Sequence, residues 1–134
     1  MKKFKIIILL VCLSFCAAAQ QKEIECHEMP VTLEILNTIF DSCNIDNSNI
    51  ANVKKWCIDY MSADKNDLKE LADAVMSKKL LFDEIKLYDS LYYITIYSAK
   101  IQTPETFYQL INEVNAIANN LNIQNAFGFG ISFE

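Results

Sequence analysis

Cys26, His27 and Glu28 follow one another in the chain, a thiol, an imidazole and a carboxylate in direct succession. Nucleophilic catalysis needs a base within hydrogen-bond reach of the nucleophile and a third group that orients it. Adjacent residues in a polar segment hold that geometry poorly, and a disulfide at Cys26 would consume the thiol. The triplet therefore reads as a structural cysteine beside a solvated histidine. A small thiol-dependent hydrolase using Cys26 or Cys43 with His27 is the alternative.

The other residues able to do chemistry point the same way. His27 is the only histidine, so the paired-histidine motif of zinc proteases is impossible, and the cysteines lack the close pairs of structural zinc sites. Asp41, Asn44, Asp46 and Asn47 offer oxygen ligands in one short run, but without the glycine bend and closing Glu of a calcium loop. Gly128 and Gly130 are the only glycines; no helix follows them to complete a phosphate cradle. Carboxylates cluster at Asp83-Glu84, Asp64 with Asp67, and Glu23, Glu25 and Glu28. Acid–base work would require burial or proximity to separate their pKa values. No metal site, cofactor or catalytic residue is expected, and a non-catalytic protein is favoured over an enzyme.

The remaining cluster is aromatic: Tyr88, Tyr92, Tyr93 and Tyr97 fall within ten residues. On a strand, Leu91, Tyr93, Thr95 and Tyr97 share one face, and Tyr92, Ile94 and Ile96 the other. If the second set faces the core, the first is a tyrosine-rich surface suited to a protein or glycan partner. Amphipathic helices need a surface to pack on, which favours the competing arrangement, with the amino-terminal helices covering that face.

The elements that must position these residues follow from periodicity. Helices are predicted over about 30–41 (Leu33, Leu36, Ile39, Phe40), 48–62 (Ile50, Val53, Cys57, Tyr60, Met61) and 64–79, the last capped by Asp64. The β-branched and aromatic run from Leu91 to Tyr97 predicts a strand. Its hairpin partner precedes a turn at Asp89-Ser90, giving a hairpin over about 80–98, although Leu81, Ile85, Tyr88 and Tyr92 also fit a helix. Thr103 and Pro104 open an amphipathic helix over 103–121, with Asn122 as its left-handed terminator. The alternation from Phe127 to Phe133 predicts a strand over 126–133, with its large residues turned to that helix. The fold class is α+β.

The first residues set the compartment. Met1 to Lys5 is basic, Ile6 to Cys16 is an apolar run of 11 residues, and Ala17-Ala18-Ala19 is a cleavage site, the order of a signal peptide over 1–19. The run is shorter than the roughly 20 residues that span a bilayer, and no membrane span is expected in the mature chain. Lipid anchoring at Cys16 is the minor alternative, because Phe15 occupies a place that calls for a small residue. Cleavage leaves a lead-in over 20–29 and one α+β domain over 30–134, periplasmic or extracellular.

Maturation removes three of the twelve lysines and none of the seventeen acids, which takes the balance from −5 to −8. With no arginine in the chain, nucleic acid is a poor partner. Three cysteines remain. Helices at 30–41 and 48–62 would form a hairpin that brings Cys26 beside Cys57, so that pair is the expected disulfide, with Cys43 a free thiol able to crosslink a dimer. The function expected is that of a small exported acidic protein that binds another macromolecule, as an inhibitor, an immunity-type partner or an envelope accessory factor. A structural subunit pairing through its C-terminal strand is a further alternative.

Overall fold

The structure, a computed structural model, describes the backbone of residues 23–26 and, with side chains, residues 30–134. The leader over 1–19, Cys16, His27 and Glu28 lie outside the described residues. Among the described residues, three helices and six strands build an α+β fold around one antiparallel sheet. The strands are β1 (Glu23–Cys26), β2 (Lys55–Ser62), β3 (Leu81–Phe82), β4 (Lys86–Tyr88), β5 (Leu91–Ser98) and β6 (Gly128–Ser132). The helices are α1 (Leu33–Ser42), α2 (Lys65–Met76) and α3 (Pro104–Asn120).

The spatial order is β1-β6-β2-β5-β3, with β4 also paired to β5. Because β5 and β6 both run antiparallel to β2, they are parallel to each other, and such a connection needs a long crossover. α3 supplies it. Its start is as predicted: Thr103 Oγ1 accepts from the Thr106 N–H at 3.2 Å, Thr106 Oγ1 in return accepts from the Thr103 N–H at 2.8 Å, and Pro104 holds the first turn.

Two predicted elements change type. Residues 48–62 form a short 3-10 turn at Ile50–Asn52 and then β2, not a helix. Val53, Cys57, Tyr60 and Met61 fit a three-four spacing, but Trp56, Ile58 and Tyr60 fit a period of two, and all three are fully buried. Cys57 is buried as well, which hides the alternation. The lead-in contains β1, paired with β6 from Glu23 opposite Ser132 to Cys26 opposite Phe129. Other boundaries shift less. α1 begins at Leu33 rather than Pro30, because Thr32 supplies the capping oxygen to the Ile35 N–H at 3.1 Å. α2 is capped by Asp64 as predicted, and ends at Met76.

The hairpin turns at Asp89-Ser90, where both residues have positive φ (51° and 69°), the two-residue turn whose twist matches that of the strands. Its first arm is interrupted: Phe82 opposes Ile96 and Lys86 opposes Tyr93, so three residues face two. This bulge blunts the outer edge of the sheet. β6, by contrast, is paired on both sides, which leaves no open edge for the assembly through the C-terminal strand expected above.

All three helices end in the same way without a glycine. Asn44, Lys79 and Asn122 are left-handed (φ 54°, 63° and 63°). The next residue donates five positions back: Ile45 N–H to the Phe40 carbonyl, Leu80 to Val75, and Ile123 to Ala118, the Schellman closure. Ile45, Leu80 and Ile123 are themselves buried, so each closure also returns an apolar residue to the core.

The core lies between the helices and one face of the sheet. Phe40 of α1 stacks on Trp56 at 5.6 Å, Trp56 meets Phe107 of α3 edge-on at 5.4 Å, and Phe107 meets Phe129 of β6 at 6.0 Å. Leu68, Leu71 and Val75 of α2 join the same cluster as Ile58, Ile94 and Ile96. The indole N–H of Trp56 is buried without a hydrogen-bond partner among the described residues. Fully buried Tyr60 fares better: its hydroxyl donates to Asn115 Oδ1 at 2.8 Å.

Two predictions follow from these contacts. A lysine at a left-handed position carries a steric penalty that glycine lacks. Lys79→Gly should therefore raise the unfolding free energy by about 0.5–1 kcal/mol in urea titrations, whereas no gain would mean the closure is unstrained. Burial pushes the Tyr60 phenol well above its ordinary value near 10, so the native state holds that proton more tightly than the unfolded chain. Its contribution to stability is complete below about pH 10 and declines as pH rises further, by up to about 1.4 kcal/mol per unit. Tyr60→Phe should flatten that alkaline decline relative to wild type; an unchanged slope would contradict it.

Candidate functional site

The helices pack on the sheet face that carries Trp56, Ile58, Ile96 and Phe129. The expectation that they cover Tyr93 and Tyr97 is thus corrected, because strand alternation puts those tyrosines on the reverse side. Register lines up that reverse face in rows: Tyr97 with Cys57 and Gly130, Thr95 with Asp59 and Gly128, and Tyr93 with Met61. Leu91, opposite Tyr88 of β4, completes it. The four residues expected as a binding surface (Leu91, Tyr93, Thr95 and Tyr97) therefore stand together, each half-buried among its neighbours. Tyr92 turns the other way and packs against the core.

Side-chain contacts fix this face. Thr95 Oγ1 donates to Asp59 Oδ1 at 2.7 Å. Lys55 Nζ lies 4.7 Å from the centre of the Tyr97 ring and 3.7 Å from Asp83 Oδ1, so the ammonium is shared between a π face and a carboxylate. Tyr93 meets Phe127 edge-on at 5.7 Å. Phe127 was expected to point at α3 with Phe129 and Ile131; it precedes the strand, and its ring is on the tyrosine side instead. Gly130 carries no side chain beside Cys57, and the space left is a small recess of about 140 Å3 bounded by Lys55, Asp59, Asp83, Thr95 and Ser132. Leu81 and Tyr88 at the margin are 49% and 73% exposed, which extends the apolar surface to the blunted edge.

Lys55 and Asp59 were not singled out from sequence, whereas Asp83 was considered only as a carboxylate beside Glu84 and Phe127 only as a strand residue turned to the last helix. Lys55 and Asp59 were hidden by the reading of 48–62 as a helix, although the alternation Trp56, Ile58, Tyr60 was there to find them. Asp83 arrives through the bulge, where its N–H donates to the Thr95 carbonyl at 2.9 Å.

The cysteine pairing also differs from expectation. β1 and β2 are separated by β6, a gap of two strand spacings or about 9.5 Å, beyond the roughly 7 Å between Cα atoms that a disulfide tolerates. A Cys26–Cys57 bridge does not fit, since it rested on a helical hairpin that is not formed. Cys43 is disulfide-bonded, so it is not the spare thiol on which a crosslinked dimer would rest.

Asp41 belongs to the last turn of α1, and the run from Cys43 to Asn49 that follows is a turn held by its own polar groups. The Ser48 N–H donates to Asp46 Oδ1 at 2.8 Å, and Asn49 Oδ1 accepts from the Asp46 N–H at 2.9 Å. Hydrogen bonds from the Ser48 hydroxyl and backbone hold the Asp46 carboxyl below its usual range. Among the described residues no three His, Cys, Asp or Glu side chains gather as a metal site, and no helix is long and apolar enough to cross a membrane.

The tyrosine face thus combines broad aromatic contact area, an ammonium with two partners and a shallow polar recess. Comparison of the chain with protein-family models, with curated proteins and with solved structures gives no match to any of them.

Proposed function

We propose that this chain is an exported, acidic binding protein that engages another macromolecule through the open face of its sheet. The observation that carries the reading is the one-sided packing of the described helices, which leaves Tyr93, Thr95 and Tyr97 in a contiguous row on the side that none of them covers. Tyrosine gives large contact area with few rotatable bonds, so little ordering entropy is lost when it binds. Lys55 and Asp59 add charges already held in place, which favours orientation over bulk affinity. With a balance of −8 after loss of residues 1–19, the field of the protein steers it to a basic partner. An inhibitor, an immunity-type partner or an envelope accessory factor would all act in this way.

The test is recovery of partner from the native envelope and secreted fractions on immobilised wild type and on Tyr93→Ala/Tyr97→Ala. Aromatic anchors at the centre of an interface are typically worth about 2 kcal/mol or more. The double variant should therefore lose at least about tenfold of the bound partner while its thermal unfolding remains cooperative. Recovery should also fall with salt. Equal recovery on both proteins would contradict the assignment of this face.

A further inference from the structure

A cleft at the end of β2 and β6 has a different chemistry from the tyrosine face. It encloses about 750 Å3 between α3, the loop that follows it and the segment Pro30-Val31, a volume within the range of small-ligand sites. Carboxamides form much of its wall: Asn112, Asn115 and Asn119 share one side of α3, and Gln124 and Asn125 come from the loop. Met61 and Phe127 supply apolar surface, and none of the lining side chains is ionisable.

One of these amides is locked in orientation. Asn115 Oδ1 accepts from the Tyr60 hydroxyl at 2.8 Å and from the Ala126 N–H at 2.9 Å. A backbone N–H can only donate, so the accepting atom must be oxygen. The Asn115 amide nitrogen is then turned away from both donors, and no described residue accepts from it. Asn119 Nδ2 donates to Asn125 Oδ1 at 3.0 Å, which leaves the Asn119 oxygen and the Asn125 nitrogen for a ligand. The cleft therefore presents one fixed donor at Asn115 and, from the paired Asn119 and Asn125 amides, one further donor and one acceptor.

A hydroxyl group donates and accepts at one atom, and a set of alternating amide donors and acceptors is matched to several of them. A charged ligand would lose water here and find no counter-charge. An extended peptide carries its polar groups along an edge and pairs best with a strand, whereas this cleft is walled by a helix and a loop. Phe127, braced by Tyr93, offers a ring to the C–H face of a sugar. We infer that the cleft is a binding site for a neutral saccharide. The Asn115 and Asn125 amides donate to its hydroxyls, Asn119 Oδ1 accepts from one, and Phe127 packs against the ring. The site does not depend on the tyrosine face having a partner.

Side-chain amide resonances of the 15N-labelled exported chain would be followed during titration with maltotriose, cellotriose, mannotriose and chitotriose, with trialanine amide as the peptide control. The expected result is saturable shifts of the Asn115, Asn119 and Asn125 amides and of the Ala126 N–H with at least one sugar. Asn125→Ala, at an exposed position away from the core, should weaken that binding at least tenfold without changing thermal unfolding. Three outcomes would overturn the inference: none of the four sugars moves these resonances, the peptide control moves them as strongly as the best sugar, or Asn125→Ala binds as tightly as wild type.

Discussion

The burial of Trp56 between Phe40 and Phe107 is the contact on which the rest depends. A strand alternates its side chains strictly, so turning Trp56 inward also turns Ile58 and Tyr60 inward, and Lys55, Cys57, Asp59 and Met61 to the reverse. β5 and β6 inherit that choice through their pairing with β2. A slip of one residue would place Lys55 and Asp59 beneath three helices, and burying unpaired charge costs several kcal/mol. The same penalty that fixes the register therefore also fixes which residues reach the open face.

Among the described residues one face of the sheet carries no helix, an arrangement open to antiparallel sheets because backbone pairing is satisfied within the sheet and one face can remain solvated. The chain lines that face with side chains that carry both apolar surface and polar ends: tyrosine, threonine and a lysine whose ammonium lies over the Tyr97 ring. Gly128 and Gly130 sit there too, on a strand paired on both sides, and have negative φ. Their role is to leave space rather than to permit an unusual backbone, and the recess beside Cys57 is the result.

Much of this was legible in the sequence where one signal acted alone. Thr103, Pro104 and Asn122 marked α3 because a cap, a first-turn proline and a left-handed terminator each act locally. Asp89-Ser90 marked the hairpin for the same reason, and the alternation around Phe129 marked β6. The sequence misled where two periodicities overlapped: Val53, Cys57 and Tyr60 mimic a helical stripe, and a buried Cys57 fills the position that should have read as polar. That error hid the central strand, and with it Lys55, Asp59 and the true relation of the cysteines. The amide cleft was illegible for another reason. Asn112, Asn115 and Asn119 read as the solvated side of α3 until Tyr60 and Ala126, from two other elements, turn Asn115 into a fixed donor.

The central claim is that Tyr93 and Tyr97 of β5 face solvent while Ile94 and Ile96 between them do not. It is tested most directly by adding a soluble paramagnetic probe to the exported chain and measuring the relaxation enhancement of assigned side-chain protons. The account predicts strong enhancement at the Tyr93 and Tyr97 rings and the Thr95 methyl, with Ile58, Ile94, Ile96 and Phe129 protected. Protection of the tyrosine row to the same degree as Ile96 would contradict it.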